Sequence, residues 1–318
     1  MNGKKLLGLA VVIFAVVTLL PAAVMAFTID SYYAGSYVGF DLGSVPGVPA
    51  EYGGLTLKPG DPSTLLIGGS ANLQEGLIYS IGVTRGAGNH ITGFSGSATV
   101  FATAPYNDGG LQYGPGGVLF FTGFPTNQIG EIKPGIGAPD KTVDLGALVS
   151  SSVGGLAFVP AGFPGAGDFK IVSYSTGGWY TATLSPDGSG TYDITGATLN
   201  ATIGGGPEGI AYVPFGSPLF GSTSVLISQY SDGKVSAFEV DANGNPISTS
   251  QKDFITGLTG AEGAFIDPLT GDFLFSTFGG GDHVIRVEGF NAVPLPPTLL
   301  LLGSGLVGLA GWRRFRKS

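Results

Sequence analysis

The sequence predicts an all-β fold, a five-bladed β-propeller, on three observations. A glycine-opened strand motif recurs five times, its copies are regularly spaced, and one unit is split between the two ends of the repeat region. The motif reads Gly53-Gly54-Leu55-Thr56-Leu57, Gly109-Gly110-Leu111-Gln112-Tyr113, Gly154-Gly155-Leu156-Ala157-Phe158, Glu208-Gly209-Ile210-Ala211-Tyr212 and Glu262-Gly263-Ala264-Phe265-Ile266. Its second positions, Gly54, Gly110, Gly155, Gly209 and Gly263, lie 56, 45, 54 and 54 residues apart, and periods of this size mark solenoids or propellers. Only 27 residues follow Gly263 as far as Phe290, while another 27, Phe27 to Gly53, precede the first copy's second glycine. In a propeller an N-terminal strand commonly completes the last blade, which removes two open sheet edges. The segment Phe40-Asp41-Leu42-Gly43-Ser44-Val45 is the expected closing strand, patterned like Val143-Asp144-Leu145-Gly146-Ala147-Leu148 at the end of the second unit.

Within each unit the glycine motif opens the first strand. A turn such as Lys58-Pro59-Gly60-Asp61-Pro62 or Asp267-Pro268-Leu269-Thr270-Gly271-Asp272 then leads to a second apolar run. Those runs are Leu65-Leu66-Ile67, Val118-Leu119-Phe120-Phe121, Lys170-Ile171-Val172, Ser224-Val225-Leu226-Ile227 and Phe273-Leu274-Phe275. They are short, β-branched or aromatic, and bounded by turn residues, as strands are. Lys234 to Val240 is a third strand, and Thr198 to Ile203 and Phe254 to Leu258 are fourth strands. A long insertion at Ile78 to Ala98 would give a sixth blade if it holds one; a β-sandwich or a parallel β-helix is the remaining alternative. No uninterrupted amphipathic helix of ten residues occurs between Phe27 and Phe290.

Both ends carry export features. Lys4 and Lys5 precede the apolar run Leu6 to Leu20, Pro21 breaks it, and Val24-Met25-Ala26 supplies small residues at a cleavage position. Residues 1–26 therefore read as a signal peptide cut by signal peptidase after Ala26. The propeller domain is expected over 27–290 and a sorting tail over 291–318. In the tail Val293-Pro294-Leu295-Pro296-Pro297 cannot be helical, because each Pro lacks an N–H and restricts its predecessor. An apolar membrane helix is expected over 298–312, followed by Arg313, Arg314, Arg316 and Lys317, which would hold the C-terminus in the cytoplasmic headgroup layer. The run is short against the roughly 20 residues of a stable span, so it suits a transient stop better than a permanent anchor. This order of Pro motif, apolar helix and basic end resembles the PEP-CTERM sorting signal of Gram-negative bacteria, with Leu295 where the motif's name has Glu. The resemblance implies recognition and cleavage by an exosortase, with delivery to the cell surface or extracellular matrix.

Charge and composition exclude whole function classes. The chain has no Cys, so disulfides, thiolate metal sites and a thiol nucleophile are absent. Between Phe27 and Phe290 there are 8 basic against 22 acidic residues, a net charge near −14, which repels nucleic-acid phosphates and favours cations or cationic partners.

Blade entrances converge around a propeller's axis, which makes Glu208 and Glu262, at equivalent repeat positions, candidate metal ligands, with Glu51 and Asp108 one or two residues earlier in their own units. Close carboxylates must share a proton or a cation, and calcium accepts flexible oxygen shells. The competing reading is that Glu208 and Glu262 cap backbone N–H groups. Other matches are poorer. Gly204-Gly205-Gly206-Pro207-Glu208-Gly209 fits G-x-G-x-x-G by letter but precedes a strand. Asp241-Ala242-Asn243-Gly244-Asn245 begins like a calcium loop but has Pro246 where Gly is needed and Lys252 where Glu is needed. His90 and His283 lie far apart, and no G-x-S-x-G elbow occurs. Tyr174, Trp179, Tyr180, Tyr230 and Phe278 follow second strands, as a ligand-stacking rim or as packing between blades.

Pro207-Glu208-Gly209-Ile210-Ala211-Tyr212-Val213-Pro214 resembles the blade-opening motif of NHL-type and gluconolactonase-like propellers, which are usually six-bladed. Two functions follow as expectations. One is a non-enzymatic exported surface or matrix protein binding a partner or saccharide; the other is a metal-dependent, lactonase-like hydrolase, which would need Glu plus Asn or Asp ligands meeting in the channel.

Overall fold

Short apolar runs separated by Gly- and Pro-rich turns build every blade. The computed structural model describes residues 27–292 as five antiparallel sheets. Strands β1 (Thr28–Ile29) and β2 (Val38–Asp41) come first in the chain but belong to the last two blades. Blade 1 is β3 (Leu55–Lys58), β4 (Asp61–Gly69), β5 (Leu77–Arg85) and β6 (Ile91–Thr103); blade 2 is β7 (Asn107–Tyr113), β8 (Leu119–Gly123), β9 (Gln128–Ile132) and β10 (Lys141–Asp144). Blade 3 is β11 (Val153–Phe158), β12 (Phe169–Ser173), β13 (Gly178–Pro186) and β14 (Tyr192–Thr202). Blade 4 runs β15 (Pro207–Tyr212), β16 (Ser224–Gln229), β17 (Lys234–Glu239) and β18 (Lys252–Thr256), with β1 added at its outer edge. Blade 5 is β19 (Ala261–Ile266), β20 (Phe273–Thr277) and β21 (Val284–Glu288), and β2 completes it.

The ring thus closes through an N-terminal strand, as the split repeat requires, but one that starts two residues and ends four residues earlier than expected. Val38 to Asp41 pair with Glu288 to Ile285, and Gly43 (φ +76°) turns the chain away. The expected strand at Phe40–Val45 is corrected accordingly, although Leu42 N–H still donates to Val284 O at 2.9 Å. The insertion in the first unit holds no sixth blade. It is the long β5–β6 hairpin, whose register runs from Leu77↔Thr103 to Arg85↔Ile91. The sheet order also replaces the sandwich and β-helix alternatives.

The recurring second glycine has a steric cause. A Cβ on Gly54 would lie 2.7 Å from Leu111 N, on Gly110 2.8 Å from Leu156 N, on Gly155 directly against Glu208 O, on Gly209 2.5 Å from Ala264 N and on Gly263 2.5 Å from Gly54 Cα. These positions form a closed ring in which each inner strand touches the next too closely for any side chain.

Buried clusters fill the seams between blades. Phe120 of blade 2 packs on Phe158 and Phe169 of blade 3, with centroids at 5.2 and 5.6 Å. Tyr33 and Tyr37, between β1 and β2, join Phe254 and Phe290 at the seam of blades 4 and 5. Each such aromatic pair contributes about 0.5–1.5 kcal/mol beyond area burial, which fastens the closing segment.

Because strands alternate in direction, blade-to-blade connections share one face, the mouth, and first-to-second-strand turns share the opposite face. The chain leaves β21 on that opposite face: Asn291 N–H donates to Ser217 Oγ at 3.2 Å and Asn291 Nδ2 to Phe215 O at 3.0 Å. Among the described residues no helix is long and apolar enough to cross a membrane. The expected signal peptide with its Ala26 site, the Val293–Pro297 motif, the 298–312 helix and the basic end at Arg313, Arg314, Arg316 and Lys317 lie outside the described residues.

Candidate cation and ligand site

At the mouth, bulges in the inner strands aim acidic side chains at the axis. In blades 4 and 5 one extra residue enters the inner strand: Pro207 to Ile210 opposes Gln229 to Ile227, and Ala261 to Ala264 opposes Thr277 to Phe275. Such bulges re-aim side chains, here Glu208 and Glu262. In blade 2 the bulge is one residue larger, Asn107 to Leu111 opposing Gly123 to Phe121. Asp108, one position earlier in its repeat, is thereby carried to the same place. Ligand atoms of Asp108, Glu208 and Glu262 lie within 4.8 Å of one another, with the residues only 2%, 3% and 1% exposed.

Glu51 does not join them. Its unit has no such bulge at the start of β3, and Glu51 sits at φ 68° with its N–H donating to Asp282 Oδ1 at 2.9 Å. Blade 1 instead contributes Asn72, which the sequence reading missed. Asn72 stands in the turn after β4 at φ 65°, a left-handed conformation that Asn tolerates, with its N–H donating to Asn107 O at 2.9 Å. Blade 3 contributes space: a Cβ on Gly154 would lie 2.5 Å from Glu208 Oε2. The missing carboxylate in the third unit is therefore the room that Glu208 occupies.

Electrostatics make this cluster costly as it stands. Burial, and then repulsion from Asp108, holds Glu208 well above its ordinary pKa. Burial, and then Glu208 and Asp108, does the same to Glu262. Burial pushes Asp108 up to about 7, against the lowering effect of hydrogen bonds from Glu262, the Gly109 amide and Asn72. With the carboxyls ionised, Asn72 Oδ1, Asp108 Oδ2, Glu208 Oε2 and Glu262 Oε1 are buried without a donor. Buried oxygens of this kind need a proton or a cation. They line a cavity of about 110 Å³, room for roughly three or four waters at about 30 Å³ each.

Aromatic residues stand over the cavity. Phe124, Tyr174 and Tyr230 line it together with Asn72 and the acids. They form an edge-to-face row with Phe278, with centroids at 5.6, 6.0 and 5.8 Å. Each is the residue immediately after its blade's second strand, and Tyr174, Tyr230 and Phe278 pack edge to face between neighbouring blades, with Phe124 extending the row. Trp179 and Tyr180 are not part of it. Trp179 is fully buried, its Nε1 donating to Asn245 Oδ1 at 3.3 Å, and Tyr180 packs in the seam of blades 2 and 3.

The remaining motifs have other roles. Gly204, Gly205 and Gly206 are the turn between blades 3 and 4, and Gly209 lies in β15. The calcium-like loop already has a cation: the fully buried Lys170 Nζ donates to Asn243 O at 2.9 Å, Asn245 Oδ1 at 3.0 Å, Thr181 Oγ1 at 2.8 Å and Asp168 Oδ2 at 3.0 Å. His283 Nδ1 pairs with Asp41 at 2.8 Å on the closing strand. His90 meets Asp272 at 2.7 Å, and with Glu288 these form a second acidic group. There Arg286 pairs with Glu288 and lies 3.9 Å from Asp272, while Arg85 pairs with Asp267 at 2.6 Å. These pairs between two arginines and three carboxylates fasten the β5–β6 hairpin tip to blade 5.

Residues 292–317 match the PEP-CTERM protein-sorting motif. No curated protein matches the chain in sequence. Solved structures of similar fold include a family AA12 carbohydrate-active enzyme from Trichoderma reesei, at 9% identity and TM-score 0.50, covering 83% of this chain and 98% of that one. The PQQ domain of pyranose dehydrogenase from Coprinopsis cinerea aligns at 9% identity and TM-score 0.47, covering 82% and 97%. A gluconolactonase-like propeller aligns at 12% identity and TM-score 0.45, covering 81% and 94%. At these identities the likeness concerns the fold alone.

Proposed function

We propose that this is an exported cell-envelope propeller that holds a calcium ion at its mouth and binds a saccharide or another hydroxylated partner against that ion and the aromatic rim. The sorting motif supports export, sorting to the envelope and processing by an exosortase. One observation carries the binding reading: four buried oxygens, from Asn72, Asp108, Glu208 and Glu262, have no donor among the described residues and surround one small cavity. Carboxylate and amide oxygens are the donor set of a hard cation, and calcium tolerates the irregular geometry that three blades and a turn provide. The cavity admits the ion and a few small groups, so most of a ligand would rest outside, on the faces of Phe124, Tyr174 and Tyr230.

A metal-dependent hydrolase of the lactonase type is the second reading. Two Glu meeting an Asp and an Asn around a cavity is the arrangement it requires, because a bound cation with an open position polarises a carbonyl. Calcium titration by calorimetry, followed by a pH-stat assay on sugar lactones, tests both. Absence of calcium binding at millimolar concentration would end both readings, and calcium-dependent lactone turnover would replace the first by the second.

A further inference from the structure

The face where the chain leaves the propeller differs from the mouth. The loop Val213 to Thr223 contains no charged residue, although the domain as a whole is strongly acidic. Phe215 is 47% exposed, Leu219 43% and, in the neighbouring turn of blade 5, Leu269 39%. Phe215 stacks on Phe163 from blade 3 at 4.4 Å, so the apolar surface spans the turns of three blades. The last described residues are bound to this same loop, through Asn291 to Phe215 O and Ser217 Oγ.

Six residue steps separate Ala292 from Thr298, where the apolar run of the sorting tail begins. Even fully extended, six residues reach only about 21 Å. A membrane-inserted tail would therefore hold this face within that distance of the lipid, at a high effective concentration. Uncharged aromatic and aliphatic side chains bury at the boundary between headgroups and acyl chains, whereas the carboxylate mouth is on the opposite side.

We propose that, before processing, the face around Asn291 lies on the membrane surface through Phe215, Leu219 and Leu269, and the mouth points away from the bilayer. This rests on the membrane-inserted reading of the tail. The absence of Cys permits single-site labelling of the full chain. Leu219→Cys on the exit face and Leu73→Cys on the mouth face, each carrying an environment-sensitive fluorophore, would be reconstituted with vesicles of phosphatidylethanolamine and phosphatidylglycerol. The expected result is loss of iodide quenching and gain of quenching by a lipid-borne quencher at position 219, with full iodide access at 73. Phe215→Ser with Leu269→Ser should restore iodide access at 219 while vesicle binding persists. Equal quenching at both sites on vesicle-bound protein overturns the proposed orientation and leaves the tail reading intact. Shielding at 219 without lipid quenching also overturns it, since a second protein copy would then cover the face. Failure to bind vesicles at all removes the tail reading and this inference with it.

Discussion

Two buried charges in this ring are handled in opposite ways. At the seam of blades 3 and 4 the Lys170 ammonium is enclosed by four acceptors, and the chain itself supplies both the cation and its partners. At the mouth, Asp108, Glu208 and Glu262 are just as buried and, among the described residues, receive no cationic side chain. A loop that begins like a calcium site is thus closed by a lysine, while the buried acids gather where no loop motif announces them. Charge that the fold neutralises supports the fold. Charge that the fold leaves open costs stability, and a ligand would return it.

The largest expected effect tests the neutralised side. Lys170→Met should leave Asn243 O without its donor inside the seam and Asn245 Oδ1 with Trp179 Nε1 as its nearest remaining donor, and each hydrogen bond from a charged donor lost in this way costs about 1.5–3 kcal/mol. A urea denaturation midpoint that hardly moves would dissolve the contrast. The mouth should respond to calcium by mass action. At a calcium concentration 100 times the dissociation constant the folded state gains about 2.7 kcal/mol, read as a raised melting temperature. Glu208→Gln with Glu262→Gln should abolish that gain, while raising stability in chelator because the repulsion is gone.

A smaller effect concerns pH. The mouth carboxyls have raised pKa values in the folded state, so in chelator their protonated forms favour folding below the unfolded carboxylate range. Stability should then decline as pH rises from about 4 through about 7, where Asp108 titrates. Glu131, which burial also pushes up to about 7, contributes in the same window. The double Gln variant should therefore flatten most, though not all, of the slope in a pH series of melting curves. Calcium should reverse the trend, because it competes with protons for the same oxygens. The smallest change in stability is expected for Tyr174→Ala with Tyr230→Ala. These half-buried rim residues should weaken saccharide binding in a glycan array while leaving the calcium-induced melting shift in place.

The fold was legible because its causes are local and repeated. A glycine is demanded at each inner-strand contact, and five such contacts print five copies at a regular spacing. The closing strand was legible by counting residues but starts two residues and ends four residues early, since Gly43 turns the chain after it and nothing in composition marks Val38 as its start. Glu208 and Glu262 were legible because their bulges are alike. Glu51 was misplaced, Asp108 was placed only in a supporting role, and Asn72 was invisible. What decides those three is the size of the bulge or the handedness of a turn, and neither is written in residue types. Lys170 shows the same limit, because its partners at Asn243 and Asn245 are 73 and 75 residues away.

The bulges at the head of the inner strands have a consequence for how such a protein changes over generations. In blade 2 a single additional residue selects which side chain reaches the axis, while the strand beyond it keeps its pairing and the glycine ring stays in place. Insertion or loss of one codon there would exchange one donor at the mouth for its neighbour in sequence and leave the barrel of blades untouched. The donor set can be edited one blade at a time, and two lineages with superimposable rings can diverge in what they hold.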